Sequence, residues 1–137
     1  MAATMCLMIL PGCENIMNRE TSKDTTINNV DNNNPIPDSV IQFLLTSAAK
    51  DFKEHQPPEA IDFKSVQAGY IKSGNVLTYL ICGEFLSKEK KVWESFTTIK
   101  TSGYEQYIGS TMYCEKATFI NTDNKLSEEL KRKFSEQ

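Results

Sequence analysis

Glu84 and Glu94 are the residues whose types and spacing come nearest to a catalytic arrangement, because they flank the lysine-rich turn Ser87 to Lys91. If that turn closes a symmetric hairpin, the two carboxylates face each other across adjacent strands, and their repulsion raises one pKa. A protonated carboxyl beside an ionised one could serve general acid–base chemistry. Lys88, Lys90, Lys91 and Lys100 are close enough in the chain to neutralise both groups, and no nucleophile, metal-ligand cluster or phosphate-cradling glycine loop accompanies them. The expected protein is therefore not an enzyme and needs no cofactor or metal. A small enzyme using Glu84, Glu94 or Glu105 is the alternative. His55, the single histidine, falls in the last turn of an expected helix, where the dipole favours a cation and a structural or solvated role suffices.

A second group of residues points to binding. "KTSGYEQYIGS", Lys100 to Ser110, sets Tyr104, Glu105 and Tyr107 among glycines in what reads as a connecting loop. That composition is common in binding loops, and the plainer role is a loop whose tyrosines cap the core. Trp93, the only tryptophan, is the fourth binding candidate.

The elements that would position these groups are legible in part. The chain has 137 residues, is 39% hydrophobic and carries a net charge of -3, which fits one small domain. Its Lys and Arg are interleaved with Glu and form no basic stripe, so nucleic acid is not an expected partner. In "PDSVIQFLLTSAAKDFKEHQPP" the S-x-x-Q spacing of Ser39 and Gln42 suggests a helix cap, and Ile41, Leu44, Leu45, Ala48 and Phe52 share one helical stripe. Pro57-Pro58 should stop that helix. Four strand-like segments follow, "IDFKSVQAGYIK", "VLTYLICGEFL", "VWESFTTIK" and "TMYCEKATFI", with a tight hairpin at Lys72 to Asn75.

Under symmetric hairpins, one sheet face would carry Val66, Ala68, Tyr70, Leu77, Tyr79, Ile81, Gly83, Phe85, Trp93 and Ile99 and would receive the helix. The other would carry Gln67, Ile71, Thr78, Leu80, Cys82, Glu84, Glu94, Phe96 and Thr98. Gly83, Ser95 and Thr97 would let the helix approach closely, and Gly69 would mark a bulge. "KLSEELKRKF" places Leu126, Leu130 and Phe134 on one side of a short terminal helix, for which the second sheet face is one candidate surface. The expected class is α+β, an N-terminal helix across an antiparallel sheet of about four strands with a short C-terminal helix.

The N-terminus has a different character. "AATMCLMIL" is nine apolar or small residues, too short to span a bilayer but the length of a signal-peptide core, and it ends at Pro11-Gly12. Leu10-Pro11-Gly12-Cys13 resembles the lipobox of bacterial lipoproteins, whose cysteine is acylated and becomes the mature N-terminus. The resemblance covers residues 2 to 13 and implies a signal peptide over 1–12 and a lipid on Cys13. No Lys or Arg precedes Arg19, so the positive part of such a leader is expected upstream of Met1. Glu14 in place of an Asp implies sorting toward the outer membrane, facing the periplasm. Acyl chains on Cys13 would make the membrane one partner, and an envelope protein the other. The Asn- and Thr-rich stretch to Pro37, without an aromatic residue, reads as a tether over 13–37, leaving 38–137 as the single domain of undetermined oligomeric state.

If Cys6 leaves with the signal and Cys13 is acylated, Cys82 and Cys114 remain as a pair in an oxidising compartment. Second and fourth strands of a simple meander are not neighbours, so either the last segment folds over the second strand or the thiols stay reduced. A helix wrapped by four strands also resembles the cystatin-like architecture. "SVQAGY" is similar to the Gln-x-Val-x-Gly hairpin of inhibitory cystatins but lacks its spacing. Only the architecture carries over.

Overall fold

The computed structural model describes residues 34–54, 59–120 and 123–137. The segment expected to be a signal peptide, Cys13, the expected tether as far as residue 33, His55 and Pro57-Pro58 lie outside the described residues. Helix α1 (Asp38–Glu54) precedes strands β1 (Ala60–Ser73), β2 (Val76–Ser87), β3 (Trp93–Lys100) and β4 (Tyr104–Ile108). A short helix α2 (Met112–Lys116), a two-residue strand β5 (Thr118–Phe119) and helix α3 (Lys125–Ser135) complete the order. The antiparallel sheet runs β4-β3-β2-β1-β5. The α+β class is thus the observed one, with five strands.

The stripe on α1 does what its periodicity dictates. Ile41, Leu44, Leu45, Ala48 and Phe52 are all buried. The helix starts at Asp38, with the Pro37 carbonyl accepting from the amides of Val40 and Ile41, so Ser39 lies within the first turn and not at the cap. Ile36 is buried in the same core, which extends the packed domain back beyond Asp38. Phe52 is the centre of that core: its ring meets Phe63, Phe85 and Phe96 at 5.2, 4.9 and 5.2 Å, mostly edge to face. Such aromatic pairs add about 0.5–1.5 kcal/mol each to the burial itself.

The terminal helix covers the same sheet face as α1, not the opposite one. Leu126 and Leu130 join the α1 core, Phe134 packs at 5.4 Å on Phe63, and Lys53 of α1 stands 4.4 Å over the Phe134 ring. Buried Ser127 accepts a 2.9 Å hydrogen bond from the amide of Val66. That amide is freed by a β-bulge: Ser65 and Val66 together oppose Gly83, and Ser65 takes a left-handed φ of 54°. The bulge therefore sits at Ser65–Val66 and not at Gly69. It turns both Phe63 and Val66 to the helix side, which strict alternation forbids.

Strand β3 pairs one residue away from the symmetric expectation. The turn between β2 and β3 has an even count, with Ser87 N donating to Val92 O and Lys91 at φ 60°, so Leu80 faces Ile99 and Glu84 faces Ser95. A slip of one residue exchanges the faces. Phe96 is accordingly in the helix-side core, whereas Ile99 joins a smaller cluster with Leu80 and Cys82 on the other face. Gly83 makes room for the Phe96 ring and Val66, since a Cβ there would come within 2.9 Å of both.

The largest departures lie between Lys100 and Ile120. Tyr104–Ile108 is a strand, its flanking glycines marking the ends of an element and not the interior of a loop. The expected fourth strand, Thr111 to Ile120, is helix α2 followed by two strand residues. This segment leaves the sheet at β4, crosses the outer face and returns to the opposite edge, where Gly69 and Tyr70 pair with Phe119 and Thr118. Phe119 packs against Gly69, where a Cβ would meet its ring and the Thr118 carbonyl at 2.9 Å.

Candidate functional site

The crossover builds a site on the outer face of the sheet. Cys114 in α2 is bonded to Cys82 in β2, with Cα atoms 6.0 Å apart, so the last segment does fold over the second strand. Buried Thr97 fixes the crossover from below, its Oγ1 lying 2.8 Å from Thr111 Oγ1 and 3.0 Å from Cys114 Sγ. Because a disulfide sulfur carries no proton, Thr97 donates to it and accepts from Thr111.

Between the crossover and the bulge is an open cleft of roughly 300 Å³. Gly83, Ser95, Ser65, Thr111 and the disulfide line it, and so do Glu84 and Glu115. Beside it stands Trp93, half exposed, with Lys64 Nζ 4.3 Å above the ring and 4.0 Å from Glu84. Tyr107 and Tyr113 are stacked on the same side of the sheet at 5.8 Å, and Tyr107 donates a 2.6 Å hydrogen bond to Glu105. That bond, with smaller contributions from desolvation and the Glu105 charge, holds the Tyr107 hydroxyl above its ordinary value of 10.0.

The expected residues are thus partly reunited and partly separated. Trp93, Glu105 and Tyr107 come to the outer face with Cys82 and Cys114. Tyr104 points to the other face, where it packs edge-on against Phe43 of α1 and donates to Asp51 at 3.2 Å. Burial first, then the Asp51 charge and hydrogen bond, raise its pKa from 10.0. Glu84 and Glu94 do not face each other: Glu94 lies opposite Phe85 and is paired at 3.0 Å with Lys90. Sequence reasoning missed Lys64, Tyr113 and Glu115. The signal was Cys114 itself, because a bond to Cys82 obliges its neighbours to lie on the outer face.

Among the described residues no cluster of three or more His, Cys, Asp or Glu could hold a metal, and no helix is long and apolar enough to cross a membrane. A scan against protein-family models, a search of curated proteins and a search of solved structures each found no match.

Proposed function

We propose that this chain is a lipoprotein of the bacterial envelope, held by an acylated Cys13 and facing the periplasm, more specifically at the outer membrane. Its domain acts as a non-catalytic module that binds another envelope protein, as an inhibitor, immunity protein or accessory subunit. The observation that carries the binding part is the outer face. There Trp93, Tyr107 and Tyr113 are exposed on the face that carries the cleft, and Lys64 lies over Trp93 and beside Glu84 of the cleft lining. Exposed aromatic residues with charges at their edge are the composition of a protein-binding patch. The lipobox-like Leu10-Pro11-Gly12-Cys13 supports the anchor.

Mass spectrometry of the membrane fraction tests the anchor, which predicts an acylated Cys13 as the first residue. An unmodified Met1 would overturn it. For the patch, Trp93→Ala combined with Tyr107→Ala should abolish cross-linking to an envelope partner without loss of fold. An unchanged cross-linked product would remove the outer face from the reading. The second reading, a small envelope enzyme, draws on Glu84 and Glu115 sharing one cleft. It predicts that Glu84→Gln has the larger effect on the partner-independent phenotype and Trp93→Ala the smaller, the reverse of the binding reading.

A further inference from the structure

The two edges of the sheet are treated differently. At one edge, β1 is covered by β5, by the Ile120 amide donating to Ala68 O, and by α3 through Ser127. At the other, β4 pairs with β3 and, among the described residues, has no strand on its far side. The direction of its free groups follows from the register. Gly109 N donates to Ser95 O and Thr101 N to Gly103 O, which makes 95/109 and 101/103 hydrogen-bonded pairs. Alternation then assigns 97/107 and 99/105 to the same kind, so the amides and carbonyls of Tyr104, Gln106 and Ile108 point away from the sheet.

Natural edges are blunted by lysine, proline or a bulge. The strand "YEQYI" has no lysine, proline or bulge, and its single charge is Glu105. Exposed apolar side chains crowd it instead: Phe43 packs against Tyr104 and Ile108 lies on the helix side, and Tyr107 stacks with Tyr113 on the outer side.

We infer that β4 pairs with β4 of a second copy of this chain, antiparallel about a twofold axis through Gln106, joining two sheets into one. That register pairs all three outward-pointing residues, whereas an axis through Glu105 would set Glu105 against Glu105. The outward-pointing residues meet as Gln106 with Gln106 and Tyr104 with Ile108, exchanging about six backbone hydrogen bonds. On the outer face Glu105 lies opposite the second copy's Tyr107, so no like charges are directly opposed. Gln106 keeps its amide nitrogen free for its counterpart, since its Oε1 accepts from Thr98 at 3.1 Å. The dimer would place two clefts on one continuous face. It does not depend on the lipid anchor; it shares Tyr107 and Tyr113 with the proposed binding patch, and the Gln106 variants below test it without altering either tyrosine.

The test uses the full chain with Cys6→Ser and Cys13→Ser, so that the Cys82–Cys114 bond is kept and no other thiol is present. Sedimentation should give about twice the chain mass of 15.5 kDa, falling toward the monomer on dilution. Gln106→Pro removes one outward amide and should yield monomer at every concentration. Gln106→Cys should cross-link to itself on mild oxidation, because hydrogen-bonded antiparallel partners have Cα atoms about 5.5 Å apart, within disulfide reach. Val76→Cys, at the β1–β2 turn, should not. A monomer throughout with no cross-link overturns the inference, as does a dimer that survives Gln106→Pro or cross-links equally through Val76→Cys. Should Gln106→Pro fail to fold, the two cysteine variants decide alone.

Discussion

Replacing both Cys82 and Cys114 by serine removes the bond while nearly preserving side-chain volume, and its effect can be worked from the loop it closes. The two cysteines are 32 residues apart. In the chain-entropy treatment, that cross-link removes about 12 cal/mol/K from the unfolded chain, or about 3.7 kcal/mol at 25 °C. Helix α2 buries none of its residues, so little native packing is lost with the bond, and the effect should act through the unfolded state. Urea denaturation followed by the fluorescence of Trp93, the only tryptophan, should show the midpoint falling by that free energy. The slope m should rise at the same time, because the chain without the bond exposes more surface when unfolded. A thermal midpoint lower by on the order of 15–30 °C is the corresponding shift for a domain of this size. Dithiothreitol should bring the wild-type protein to the same stability and leave the variant unchanged. A loss below about 1 kcal/mol, or a smaller m, would refute the argument that this bond works by restricting the unfolded chain.

Three further outcomes follow from the packing. Phe52→Ala empties the centre of the aromatic core and should cost about 3–5 kcal/mol by urea denaturation, whereas Phe43→Ala, half exposed on the same helix, should cost far less. Ser127→Ala strands the buried amide of Val66 and should cost about 1–3 kcal/mol, with hydrogen exchange at Val66 accelerating. The raised pKa of Tyr104 means that its contribution is intact below pH 10.0 and is lost as pH climbs through the higher folded-state value. Tyr104→Phe should therefore remove a late component from the phenolate absorbance titration, and a missing component at or below 10.0 would contradict the Asp51 contact.

Some of this protein could be read directly from residue order, where the physics is local. The α1 stripe, the tight turn before Val76 and the Leu126, Leu130 and Phe134 side of α3 depend on periodicity and turn chemistry within a few residues. The α+β class follows from them. Residue order left open which way β3 faces, because one residue in the turn before Val92 decides whether Phe96 or Ile99 enters the main core. It also misplaced β4, whose terminal glycines look the same locally whether they bound a strand or fill a loop. The outer-face site was the least legible, since its assembly is a long-range event. The segment read as a strand is helix α2, lying over Thr97 with Cys114 bonded to Cys82 across 32 residues and Tyr113 against Tyr107. Its place is set by long-range contacts that the residue order within 111–120 does not carry. The residue types at the site came from the sequence, whereas their faces, partners and shared cleft came from the tertiary fold.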